Sequence, residues 1–213
     1  MADTSPPHLT RRLILAGLLA APAPALAAKG QVVTILGDSI TAGYGLPAKD
    51  SLPAQLHQAL LALGVANVVR GAGVSGDTTA NGAARLDFSV QPDTAVCVVA
   101  LGGNDLLRGV EPKVSRANLE RILKRLKQRR MGIVLAGMRA PPEIGRGYAR
   151  DFDAIFPGLA KAHGAAFYPD LLAGVSRNRA LNQPDGIHPN AAGVKVLARG
   201  LAPVVARVLK ARS

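Results

Sequence analysis

The sequence predicts a three-layer α/β/α sandwich around a central parallel sheet of about five strands. Five short apolar runs are continuous rather than alternating, which marks strands buried on both faces. Amphipathic segments long enough for helices separate the runs, and strand-helix alternation calls for parallel order with right-handed crossovers. Polar and glycine-rich stretches follow the runs, at the carboxyl ends where open parallel sheets bind ligands. A length of 213 residues with 48% apolar content suits one well-buried domain.

The chain opens with a leader. Arg11 and Arg12 precede the apolar stretch Leu13-Ile-Leu-Ala-Gly-Leu-Leu-Ala-Ala21, and Pro22, Pro24 and the small residues Ala25-Leu-Ala-Ala28 follow. A positive start, a short apolar core and an A-x-A-like site predict a signal peptide over residues 1–28 and a mature domain over 29–213. The prolines interrupt the apolar core well before the roughly 18 residues a membrane span needs. Export is therefore expected, to the periplasm or beyond the cell, and the arginine pair fits either the Sec or the twin-arginine route. Removing Asp3, Arg11 and Arg12 lowers the formal charge from +12 to +11. So basic a protein associates loosely with anionic surfaces such as membrane headgroups, without a specific nucleic-acid site.

The predicted strands are Val32 to Leu36, Ala66 to Arg70, Thr94 to Leu101, Gly132 to Gly137 and, more weakly, Ala165 to Pro169. The helices between them are predicted near Ser51 to Leu63, Thr78 to Phe88, Lys113 to Arg130 and Ile144 to His163, with Ala191 to Lys210 closing the chain. Apolar residues Leu119, Ile122, Leu123 and Leu126 give the third helix a buried stripe and leave its arginines and lysines to solvent. Cys97, the only cysteine, falls inside the third strand and is expected to pack there.

The stretch Gly71-Ala-Gly-Val-Ser-Gly76 matches the G-x-G-x-x-G fingerprint of dinucleotide-binding proteins. That reading needs an acidic residue at the end of the following strand. Asp93 lies at the right distance but precedes its strand, which argues against the fingerprint.

Ser39 follows the first strand in Gly37-Asp-Ser-Ile-Thr41 and is open to two readings, a helix N-cap or a nucleophile at a strand-to-helix junction. A nucleophile needs a base. Of the four histidines, His8 lies in the leader, and His57 and His163 fall in helical patterns. His188 sits in the proline-bracketed turn Gln183-Pro-Asp-Gly-Ile-His-Pro189, three residues after Asp185. That turn reads either as a polar loop or as a carboxylate orienting an imidazole. Gly76, and Asn104 after Gly102 and Gly103, offer N–H groups for an oxyanion, as does the backbone of Ser39. Asp38, Asp77 and Asp105 read as loop-ordering acceptors or caps. No metal-ligand spacing surrounds His188.

Gly37-Asp-Ser39, the glycine of Ser75-Gly-Asp-Thr78, Gly102-Gly-Asn-Asp105 and Asp185-Gly-Ile-His-Pro189 occur in the order of the four blocks of the SGNH, or GDSL, hydrolase superfamily. The sequence resembles most its small exported branch, typified by thioesterase I, arylesterase and lysophospholipase enzymes. The resemblance implies a flavodoxin-like SGNH hydrolase fold and a serine esterase acting on carboxylic esters and thioesters, with no cofactor or metal. It implies Ser39 as nucleophile, His188 as base, Asp185 as its orienter, and Ser39, Gly76 and Asn104 as oxyanion donors. Relatives commonly carry asparagine at the position of Gly71, a departure that bears on the shape of the adjoining pocket. The segments Leu106 to Pro112 and Arg139 to Gly147 leave strand ends, so Leu106, Leu107, Arg108 and Pro141, with Ile187, are expected to contact the substrate. Two other readings stand beside this one: a carbohydrate acetyl esterase with the same site, and a non-catalytic basic envelope protein that binds anionic lipid through the Arg116 to Arg130 face. A monomer is expected.

Overall fold

The computed structural model describes residues 1–2 and 30–212; the leader, its cleavage site and His8 lie outside them. Five strands, β1 (Gln31–Gly37), β2 (Asn67–Gly73), β3 (Thr94–Ala100), β4 (Gly132–Ala136) and β5 (Ala166–Tyr168), form one sheet in the order β2-β1-β3-β4-β5. Every pairing is parallel. The central strands β3 and β4 are almost entirely buried, as their continuous apolar runs require, while β2 and β5 form the half-buried edges. Helices α2 (Leu52–Ala62) and α8 (Ala191–Lys210) cover one face. On the other face lie α3 (Thr79–Ser89), α5 (Pro112–Gln128), α6 (Arg146–Asp153) and α7 (Ile155–His163).

The chain runs outward from β1 to β2 and then returns to lay β3 on the other side of β1. Strand order reverses there, and that is where a parallel sheet opens a crevice beyond its carboxyl ends. Two short helices sit at this edge, α1 (Ser39–Ala42) directly after β1 and α4 (Gly103–Leu107) directly after β3. Neither has enough residues to show a helical period in sequence.

Two expectations need correction. The single helix over Ile144 to His163 is two helices with a break at Ala154, preceded by a 3-10 turn over Pro142–Ile144. Pro157 has no N–H to give the carbonyl of Asp153, and its ring would press on that carbonyl, so the α6 pattern cannot continue. Strand β2 also extends through Gly71-Ala-Gly73 rather than ending at Arg70. These glycines are therefore not part of the loop beyond the strand. A Cβ on Gly73 would lie 2.4 Å from the Ala42 nitrogen and 2.7 Å from the Asp38 carbonyl oxygen, and one on Gly71 would lie 2.8 Å from Pro53 Cγ. Both serve the close approach of helix to strand.

The histidines in helices have structural partners. His57 Nδ1 donates to Asn67 Oδ1 at 2.9 Å, and His163 Nε2 lies 3.8 Å from Glu120. Cys97 is fully buried, and burial raises its thiol to about 12, which keeps it protonated.

Gly73→Ala tests the close approach. The new methyl meets backbone on α1, so a loss of about 1–3 kcal/mol is expected, or roughly 2–10 °C in Tm. Gly147→Ala, in open space on α6, is expected to hold or slightly raise Tm. Equal responses in thermal unfolding would refute the account.

Candidate active site

The first strand ends at Gly37, and Asp38 caps the helix that follows: its Oδ1 accepts the Ile40 N–H at 3.1 Å. Ser39 is therefore not the N-cap. The cap is Asp38, so the Ser39 hydroxyl at the first helical position is free to bond elsewhere, and it lies 2.9 Å from His188 Nε2. His188 is held in turn by Asp185, whose Oδ2 is 2.7 Å from Nδ1 while its Oδ1 accepts the backbone N–H groups of Ile187 (2.9 Å) and His188 (3.0 Å). Asp185 thus closes its own turn around Gly186, at φ +70°, and fixes the imidazole with the same carboxylate. With Nδ1–H donating to Asp185, Nε2 is left as the acceptor for the serine hydroxyl.

The turn is also fastened to its surroundings. Gln183 N–H donates to the His188 carbonyl at 2.8 Å, and Gln183 Nε2 donates to the Tyr44 carbonyl at 2.8 Å and the Pro189 carbonyl at 3.0 Å. The Tyr44 ring lies against the imidazole with centroids 4.6 Å apart. Neither contact is legible in the sequence, where Tyr44 and Gln183 are 139 residues apart.

Two of the expected oxyanion donors follow β2 and β3, Gly76 in the loop and Asn104 in the first turn of α4. Gly76 has φ +84°, a backbone state that favours glycine, and Arg108 Nη2 donates to its carbonyl at 2.8 Å. Asn104 Nδ2 donates to the Asp77 carbonyl at 3.0 Å, with Asp38 Oδ2 at 3.5 Å. The expected loop-ordering aspartates do order loops. Buried Asp105 accepts the Thr79 N–H, the Thr79 hydroxyl and the Ser115 hydroxyl at 2.6–2.9 Å, and Asp77 pairs with Arg85 at 2.6 Å.

Asp38, Ser39, Gly76, Asn104 and His188 all line a single cavity of about 830 Å³ with a largely apolar wall. Leu106, Leu107, Pro141 and Ile187 line it. Arg108 does not; its guanidinium turns to the Gly76 carbonyl instead of the cavity. Arg139 and Ala140 line it too, from the Arg139 to Gly147 segment already singled out in the sequence; the sequence reading missed Tyr44, Met138 and Leu172, which complete the apolar wall, and Arg177. Asp153 steadies this wall by accepting the Ala140 N–H at 2.8 Å and Arg139 Nη1 at 3.2 Å. Gly71 does not line the cavity, and a Cβ there would meet Pro53 Cγ on α2.

Two carboxylates of the site are shifted in opposite directions. Burial lifts Asp38 from its ordinary 3.8 to about 6, against the lowering effect of the Ile40 N–H and of its own backbone. Hydrogen bonds from the His188 backbone, the His188 ring and the Ile187 backbone lower Asp185 to about 2, so it is ionised at any pH where the protein would work. Since the Asp38 value in the folded state lies above the unfolded one, its stabilising contribution is whole below about pH 4 and is lost as pH rises through 6. Asp38→Asn keeps an acceptor for Ile40 and removes this loss. The variant is expected to exceed wild type in stability at pH 7–8, by up to about 3 kcal/mol, with the gap closing below pH 4. Asp185 acts in the opposite sense, losing its contribution only as pH falls from 3.8 towards 2, outside that window. Thermal unfolding from pH 4 to 8 checks this, and a gap that does not vary with pH would refute it.

The geometry agrees with what known proteins reveal. Residues 35–196 match the GDSL-like Lipase/Acylhydrolase family. The chain is 37% identical over 156 residues to an arylesterase of Vibrio mimicus, covering 73% of this chain and 78% of that protein. It is likewise 37% identical over 165 residues to thioesterase 1/protease 1/lysophospholipase L1 of Escherichia coli strain K12, covering 77% and 78%. Among solved structures, the SGNH-hydrolase family esterase AlinE4 superposes with a TM-score of 0.71 at 45% identity, covering 84% of this chain and 96% of that one. A chain with this family pattern over most of its length and a serine, histidine and aspartate in hydrogen-bonded series at the pattern's own blocks belongs to the GDSL-like lipase/acylhydrolase family, and it is a serine ester hydrolase.

Proposed function

We propose that Ser39 is the nucleophile that carries the acyl group, with His188 as general base and then general acid. The observation that carries this reading is the Asp185–His188–Ser39 series, at 2.7 and 2.9 Å, opening into a largely apolar cavity. In acylation, Ser39 Oγ attacks the substrate carbonyl while His188 Nε2 takes the hydroxyl proton, and ionised Asp185 stabilises the imidazolium. The carbonyl oxygen, now an oxyanion, receives N–H groups from Ser39, Gly76 and Asn104 Nδ2, which keeps one proton on the Asp77 carbonyl and turns the other from its long 3.5 Å contact with Asp38 Oδ2 to the oxyanion. The imidazolium protonates the departing alcohol or thiol as its bond to the carbonyl carbon breaks. Water then attacks the acyl carbon as His188 Nε2 takes its proton, and the imidazolium returns that proton to Ser39 Oγ as the bond from Oγ to the acyl carbon breaks and the acid leaves.

The cavity supports an acyl chain longer than acetyl. Its wall of Leu106, Leu107, Met138, Pro141, Leu172 and Ile187 is apolar, and about 830 Å³ far exceeds what an acetyl group fills. This favours aryl or alkyl esters, acyl thioesters and lysophospholipids over acetylated carbohydrate. We place the mature protein, residues 29–213, outside the cytoplasm as a monomer. A formal charge of +11 supports loose contact with anionic membrane surfaces. Among the described residues no helix is long and apolar enough to cross a membrane.

Hydrolysis of p-nitrophenyl acetate, butyrate and dodecanoate by the protein from Lys29 tests the reading. Ser39→Ala is expected to lose activity by roughly 10⁴-fold or more, and Asn104→Ala by about 10²–10³-fold with Tm nearly unchanged. A Ser39→Ala protein that kept its activity would overturn the proposal. Replacing Leu106 and Leu107 with alanine is expected to change the ratio of dodecanoate to acetate hydrolysis, and an unaltered ratio would remove them from the acyl wall.

A further inference from the structure

Beyond Val74 the chain after β2 has left the sheet. The Val74 N–H makes the last strand-like bond, to the Gly37 carbonyl at 3.2 Å, and the Asp77 N–H only closes a turn onto the Val74 carbonyl. No strand therefore fixes how far the Gly76 peptide stands from Ser39. Side chains do, and one of them spans the gap.

Arg85, on α3, donates from Nε to Asp77 Oδ2 at 2.6 Å and from Nη2 to the Gly37 carbonyl at 2.8 Å. The first acceptor belongs to the residue after Gly76, the second to the residue two before Ser39. A third bond, from Nη1 to the Ser89 hydroxyl at 3.0 Å, anchors the guanidinium to its own helix. The side chain is 19% exposed and that of Asp77 11%, so water competes weakly for these bonds. The planar fork holds its N–H vectors at fixed angles, so two acceptors bound to it are held at a fixed separation. Asn104 Nδ2 bonds the carbonyl of the same Asp77, which links the third donor to the same clamp. Asp77 offsets the charge of Arg85, which makes its influence on the site one of geometry rather than of potential.

We propose that Arg85 is the positioning residue that sets the spacing between the Ser39 and Gly76 oxyanion donors by bridging Gly37 and Asp77. The inference rests on the oxyanion assignment above and extends it to a side chain that touches no substrate. Donors must meet the oxyanion within a few tenths of an ångström, and errors near 1 Å cost on the order of 10²-fold. Since the donors act on the charge that develops in the transition state, their displacement reduces kcat and leaves substrate binding largely intact.

The test compares Arg85→Met, Arg85→Lys, Ser89→Ala and Ser39→Ala with wild type, using p-nitrophenyl butyrate well below each variant's Tm. Arg85→Met is expected to lose about 10- to 100-fold in kcat with KM within about twofold. Arg85→Lys, a point donor that reaches one acceptor at a time, is expected to recover only part of that loss. Ser89→Ala removes the anchor but neither bridge, and is expected to keep wild-type kcat. A folded Arg85→Met with wild-type kcat would overturn the inference; if that variant does not fold, wild-type kcat in Arg85→Lys would do so. A loss in Ser89→Ala equal to that in Arg85→Met would also overturn it, by making the arginine a general support of α3. Activity retained by Ser39→Ala would bring down the nucleophile assignment itself, whereas its loss beside unaffected arginine variants would leave that assignment standing and remove only the clamp.

Discussion

The structure depends on a contact that only glycine permits, the seating of α1 against the ends of β1 and β2. A Cβ at Gly37 would lie 2.1 Å from Thr41 Oγ1, and one at Gly73 would lie 2.4 Å from the Ala42 nitrogen. The two residues are paired across the sheet, so together they leave a shallow bed into which one turn of helix settles. A four-residue helix cannot hold itself together in water, and this bed, with the Asp38 cap, is what keeps it. The first residue of that turn is Ser39. That serine therefore owes its place to backbone packing, before any side-chain partner is considered.

Around that fixed point the fold gathers the other groups by strand order. Because β2 and β3 flank β1 on opposite sides, the loops that follow all three converge at one crevice. Each loop is then tied down by a side chain of another element: Asp105 holds the start of α3, Asn104 holds Asp77, and Arg85 joins Asp77 to Gly37. The histidine turn, distant in sequence, is latched by Gln183 and faced by the Tyr44 ring. Preorganisation here consists of many short ties among irregular segments resting on a rigid sheet.

The two carboxylates nearest the chemistry show how environment separates identical side chains. Asp38 and Asp185 both cap turns through backbone N–H groups, but Asp38 is almost wholly buried at the cavity wall while Asp185 lies at the surface with a histidine ring for a partner. Desolvation prevails in the first and hydrogen bonding in the second. Only the second is an anion at all working pH values, and that is the property needed to support an imidazolium.

Much of this was legible in the sequence. Continuous apolar runs announce a sheet buried on both faces because solvent reaches neither side, and the helical period of α5 announces its buried stripe; both signals are local and repeat within a few residues. The same holds for the Asp185 to Pro189 turn, whose carboxylate and imidazole are neighbours in the chain. Family blocks carried the remaining site residues. Three things were decided only in three dimensions. The cap fell to Asp38 and not Ser39, since the choice depends on how α1 meets the sheet. Gly71 and Gly73 joined the strand and not the loop, since their glycine is required by helices elsewhere in the chain. Arg108 turned away from the cavity, and Arg85 and Tyr44 turned towards the site, because a long side chain on a surface pattern carries no sign of what it reaches. The sequence determined which segments are strand, helix and turn, through interactions a few residues apart; tertiary structure decided which groups meet, because those distances depend on packing between segments that the chain separates by tens of residues.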